Sequence, residues 1–193
     1  MAARLTPLAA ADEYCLLNLT ASGNKGVIMR IVKHIIWLIL LTVIQTVFGR
    51  LIAVYGTVPN LLAGYSIIIA FCAKDDKEAA YVLFGAALLS GSCVGHLFAA
   101  DVFFIGIGSA AARVAVEYFR FVSAPVRISA VTALTAAAIA VVECFAAHHT
   151  IDAGAILHIV LPFVLYTTAA ACVLYPIVMK TMYKKTEKKL IVL

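Results

Sequence analysis

Residues 35–47 read Ile-Ile-Trp-Leu-Ile-Leu-Leu-Thr-Val-Ile-Gln-Thr-Val, a run with no charge, broken only by Thr42, Gln45 and Thr46. Lys33-His34 precede it and Gly49-Arg50 follow it. A helix that crosses a bilayer needs about 20 such residues, and 31–48 supply the first. The rest of the chain extends the pattern. Of its 193 residues 64% are apolar and 13% charged, and the mean hydropathy is +1.05. Soluble domains carry about 25% charged residues, so a water-solvated surface cannot be assembled from this sequence. An ordinary soluble enzyme, a disordered chain and a nucleic-acid-binding domain are excluded. An all-α integral membrane protein remains.

Further apolar segments follow at about 60–73, 79–99, 102–122, 126–147 and 153–179. Together they predict a compact bundle of six transmembrane helices within a domain of residues 29–180. Residues 1–28 carry Arg4, Asp12, Glu13 and Lys25 and are expected to be a poorly ordered tail. Residues 181–193 form a basic tail. Met29-Arg30-Ile31-Val32-Lys33 also has the look of a membrane-protein start. Leu51 to Tyr55 is too short to span and is expected at the outer boundary. Lys74-Asp75-Asp76-Lys77-Glu78 is expected to be a solvated loop. Pro162 and Pro176 are expected to kink the last span.

Basic residues orient the bundle. With the N-terminus inside, the cytoplasmic side receives Arg4, Lys25, Arg30, Lys33, Lys74, Lys77, Arg120, Arg127, Lys180, Lys184, Lys185, Lys188 and Lys189, and the outer side only Arg50. Cytoplasmic loops of membrane proteins carry this excess of Lys and Arg, so both termini are expected in the cytoplasm of a plasma membrane. The tail lysines also suit anionic lipid.

Small residues stand out in the third and fourth spans. Gly85, Gly91 and Gly95 fall near one stripe, and Gly106 and Gly108 open the next span. Lipid gives helices no hydrophobic reason to associate, so close backbone approach supplies the contact. These glycines serve either packing within the bundle or an interface with a partner or second copy. Charges within membrane spans are costly and are read as functional candidates. Arg113, Glu117 and Arg120 share a helix face and suggest a salt-bridged trio near the inner boundary. Asp101 closes the third span, and Glu143 lies towards the outer end of the fifth; both are expected at an interface. His96, His148, His149 and His158 gather on the outer side without metal-ligand spacing, and Ser109 lacks the frame of an intramembrane protease. The five cysteines are scattered, with no Cys-x-x-Cys pair. No catalytic residue, cofactor site or metal site is expected, nor any nucleic-acid partner.

Three features resemble the MreD family of bacterial rod shape-determining membrane proteins. The chain opens a first span at Met29-Arg30-Ile31-Val32-Lys33, with Gln45-Thr46 late in it. Val58-Pro59-Asn60-Leu61-Leu62 is similar to that family's Pro-Asp/Asn-Leu start of span 2. Gly91 and Gly95 precede Asp101 and Gly108-Ser109-Ala110, although the acid stands two residues later than in the family pattern. The resemblance implies a fold similar to the substrate-binding subunits of energy-coupling vitamin transporters. It implies a non-enzymatic scaffold of the cell-elongation machinery, in contact with the bitopic protein MreC and, further out, with MreB and the RodA–transpeptidase pair. A vitamin-transporter subunit itself is the competing reading, for which Arg50, Tyr55, His96, Asp101, His148 and His158 would line an outward pocket.

Overall fold

The structure is a computed structural model. It describes residues 29–53, 57–73, 75–93, 98–119, 121–148, 154 and 156–183. Helices run as α1 (Met29–Val47), α2 (Gly49–Ile52), α3 (Leu61–Cys72), α4 (Asp76–Cys93), α5 (Phe98–Tyr118), α6 (Ala124–His148) and α7 (Leu161–Val178). A π-helical turn precedes α7 at Ile156–Val160, and another follows it at Met179–Tyr183. No strand occurs among the described residues. Four stretches are long and apolar enough to cross a membrane: Met29–Val47, Ala99–Tyr118, Ala124–Ala146 and Ile156–Tyr183.

The chain hides polar groups and shows apolar ones. On α1, Val32, Ile35, Ile36, Ile39, Leu40, Val43 and Val47 are exposed, while His34, Thr42 and Gln45 are buried beside Leu38 and Leu41. Soluble proteins rarely leave contiguous apolar patches of this kind. In lipid the arrangement costs nothing, because hydrocarbon solvates the outer face and the buried polar groups find partners inside.

α3 is the axis of the bundle. All ten residues from Leu61 to Ala70 are buried, as expected of a helix apolar on every side. It packs against α4, α5, α6 and α7, and its Leu61, Leu62 and Tyr65 join Leu38 and Leu41 of α1 in one core cluster. Its 12 residues rise about 18 Å, well short of the roughly 30 Å hydrocarbon core. The chain enters it from Val58-Pro59-Asn60, which is not helical.

Consecutive long helices alternate in direction. One end of the bundle gathers Arg30, Glu78, Arg113, Arg127 and Tyr183 through contacts between helices; it is called the basic end here. Two arginines cap helix C-termini there. Arg113 donates to the Ala73 carbonyl at 2.7 Å, and Arg127 donates to the Ala115 carbonyl at 3.3 Å. Cations are stabilising at helix C-termini because the last carbonyls lack partners and carry the negative end of the dipole.

Several sequence expectations shift. The polar pentapeptide at 74–78 is not wholly loop: Asp76, Lys77 and Glu78 form the first turn of α4. Asp75 caps that turn by accepting the Lys77 N–H at 3.0 Å, and acidic residues are stabilising at a helix start. Asp101 does not close α4. It sits in the first turn of α5 and is fully buried. Helix continues past residue 180 to Tyr183. Pro162 lies at the start of α7, where its missing N–H is harmless, and Pro176 lies inside it. Residues 1–28 and 184–193, and with them both tails' other lysines, fall outside the described residues.

Candidate functional site

Two buried polar nodes tie α1 to the rest of the bundle, one at each end. At the basic end, His34 of α1 lies between two partners. Its Nδ1 is 2.9 Å from the Tyr65 hydroxyl of α3, and its Nε2 is 2.8 Å from Glu78 Oε1 of α4. With Nε2–H donating to the carboxylate, Nδ1 accepts the Tyr65 O–H, and both ring nitrogens are satisfied. Arg30 stands 3.7 Å from Glu78 Oε2, and the Tyr183 hydroxyl donates to Glu78 Oε1 at 3.5 Å. One carboxylate thus collects α1, α4 and the turn after α7, and reaches α3 through the imidazole. Trp37 stacks on Tyr65, with ring centroids 6.1 Å apart. Tyr65 is fully buried, while His34 and Glu78 also line a small pocket with Ile31, Ile35, Leu38, Tyr81 and Val82; the Tyr–His–Glu chain braces α1, α3 and α4 against one another.

At the opposite end, Asn60 caps α3 by accepting the Ala63 N–H at 3.0 Å, and its own N–H donates to Thr167 Oγ1 of α7 at 3.1 Å. Gln45 of α1 accepts the Leu61 N–H at 3.1 Å. Pro59 is buried beside this turn. The residues that carry the family resemblance at 59–60 therefore anchor the buried N-terminus of the central helix between α1 and α7.

Asp101 accepts the Ser90 hydroxyl at 2.5 Å, joining α5 to α4. Arg113 turns to Asp76, at 2.9 Å, and to the Ala73 carbonyl, while Glu117 one turn away is exposed. Arg120, the third member of the expected trio, lies outside the described residues; Arg113 pairs with Asp76 and so links α5 to the start of α4. Glu143 is half-buried on α6.

The glycines divide. A Cβ on Gly108 would collide with Thr135 of α6, meeting Thr135 Cγ2 at 3.0 Å and Cβ at 3.1 Å besides the still closer Oγ1. A Cβ on Gly85 would come 2.9 Å from Leu38 Cδ1. Both positions are taken up by close helix contacts inside the chain. Gly106 has nothing within 4 Å of such a Cβ and faces open space. Gly91 is half-buried, and Gly95 lies outside the described residues. Gly64 was not singled out by sequence, yet a Cβ there would stand 3.2 Å from Ala171 Cβ, where α3 meets α7. Ser109 is buried in α5.

His158 is exposed; His96 and His149, and the His148 side chain, fall outside the described residues. Among the described residues no three His, Cys, Asp or Glu side chains are grouped to hold a metal ion. The His34–Glu78 pair escaped sequence reading because its members are 44 positions apart. The available signal was the polar stripe His34, Thr42, Gln45 within an apolar helix.

What the fold and these nodes define, among the described residues, is a helical bundle with four helices able to cross a membrane, braced by polar contacts between helices. No protein-family model, curated protein or solved structure matches it.

Proposed function

We propose that this chain is a non-enzymatic scaffold of the bacterial cell-elongation machinery, a six-helix bundle in the plasma membrane with both termini in the cytoplasm. In this reading α3 and α4 count as spans. α3 crosses in the middle of the bundle with its non-helical approach at 57–60, and α4 enters from its charged first turn. The observation that carries the reading is the stretch Val58-Pro59-Asn60-Leu61-Leu62, with its resemblance to the start of the second span in MreD proteins. It also supplies the cap of the buried central helix. The described polar contacts run between helices and brace them against one another, which suits a scaffold.

The partner is an MreC-like bitopic protein, which docks a single helix on the bundle, with MreB and the RodA–transpeptidase pair as more distant contacts. Gly106, open on the outer surface of α5, offers a close-approach point for such a helix or for a second copy of the chain. The basic end faces the cytoplasm and anionic lipid. Depletion of the protein in a rod-shaped host tests the role: cells are expected to round up, and cells that keep a normal rod shape through many divisions refute it.

A further inference from the structure

At the N-terminus of α3, the capping Asn60 and Gln45 of α1 each carry a donor that has no acceptor among the described residues. Gln45 and Asn60 are 3% and 1% exposed. Each has given its side-chain oxygen to a backbone N–H of this turn, Gln45 Oε1 to Leu61 and Asn60 Oδ1 to Ala63. Each therefore holds its NH2 group beside the same turn, and both Gln45 Nε2 and Asn60 Nδ2 are buried without a hydrogen-bond partner among the described residues. Buried amide groups left unpaired are rare and call for an explanation.

We propose that this turn is a binding site for a carboxylate. The chemistry of the site calls for acceptors. Each side-chain oxygen already accepts one backbone N–H, whereas neither NH2 group has an acceptor among the described residues, so the group that satisfies the site is one that supplies lone pairs to both. A carboxylate brings only lone pairs, enough for both NH2 groups. The positive end of the α3 dipole points the same way. α3 is 12 residues long, and its N-terminus is held by Gln45 of α1 and Thr167 of α7. Interrupted helices of transporters hold anionic groups at half-helix N-termini in this manner. Asparagine at 60 matters here: aspartate would cap α3 equally well but would replace one donor with an acceptor. The site goes beyond the scaffold reading and does not depend on it.

The test uses the full chain purified in detergent, with sodium acetate as the probe and sodium chloride at equal concentration as the reference. Thermal unfolding is followed over an acetate titration, for the wild type, Gln45→Met and Asn60→Asp. In Gln45→Met the Leu61 N–H keeps a partner in the Pro59 carbonyl, 3.1 Å away. In Asn60→Asp the cap is preserved. The expected result is a saturable rise in midpoint for the wild type that chloride does not give, with affinity about tenfold weaker or worse in either variant. Three results overturn the proposal: no acetate-specific rise in the wild type, an equal rise in the variants, or an equal rise with acetamide in place of acetate. The wild-type titration decides even if one variant fails to fold.

Discussion

His34 Nε2 lies 2.8 Å from Glu78 Oε1, and this single pair fastens the first helix to the fourth at the basic end. Both side chains are almost withdrawn from the surface, at 5% and 10% exposure, whereas Arg30, which also reaches Glu78, is 54% exposed. The two contacts on the same carboxylate should therefore differ in weight.

A buried hydrogen bond to a charged group contributes about 1.5–3 kcal/mol, and Glu78 keeps Arg30 and Tyr183 when His34 is removed. An exposed ion pair contributes about 0–1 kcal/mol. His34→Leu is expected to lower stability severalfold more than Arg30→Ala. The double variant His34→Leu with Glu78→Leu is expected to lose less than the two single losses combined, since neither then strands a partner. Unfolding in detergent by chemical denaturant measures all four proteins, and additive single losses would contradict the pairing.

Gly108 and Gly106 are two positions apart on α5 and should answer oppositely to the same change. Gly108→Ala drives a methyl into Thr135, whose Cβ and Cγ2 both stand in the way, so rotating the hydroxyl does not relieve it. Overpacking of this kind costs about 1–3 kcal/mol. Gly106→Ala meets nothing and gains helix propensity, up to about 1 kcal/mol. Midpoints of thermal unfolding should fall for the first and hold or rise for the second.

The cap on α3 should be separable by chemistry. Asn60→Ala removes the acceptor for the Ala63 N–H, at about 1 kcal/mol for an N-cap. Asn60→Asp keeps the acceptor oxygen at the positive end of the helix dipole and should lose less stability than Asn60→Ala. A comparable loss in both would mean that the side chain stabilises through something other than its oxygen.

Orientation is open to direct labelling. With the basic end in the cytoplasm, a cysteine at Ser123 or Lys180 in a background without native cysteines should react with a membrane-impermeant maleimide only after cells are opened. A cysteine at the exposed His158 should react in intact cells. The reverse pattern would contradict the charge-based topology.

Long apolar stretches were legible in the sequence because length and hydropathy are local properties. α1, α5, α6 and α7 lie within a few residues of their expected places. α4 begins earlier than expected because Asp76 and Glu78 favour a helix start as readily as a loop, and the Asp75 cap that decides between them is a matter of backbone geometry. Asp101 was placed one helix too early for a similar reason: an acid that ends one apolar run also starts the next. The central role of α3 could be suspected from its uniform apolarity but not seen, since what surrounds it comes from five other helices. Contacts between helices were the least legible. A shared helix face linked Arg113 to Glu117, yet Arg113 turned to Asp76 and the Ala73 carbonyl, which the sequence places 37 and 40 positions away.

The most direct test of the scaffold account is purification of the tagged full-length chain from bacterial membranes in mild detergent, with the bound proteins identified and quantified. The account predicts that an MreC-like bitopic membrane protein is recovered in near-stoichiometric amount, and that Gly106→Leu, at a position where an added Cβ meets nothing within 4 Å in the chain, reduces it. Recovery of the folded chain without any such protein, under conditions that retain other membrane complexes of the same cell, would contradict it.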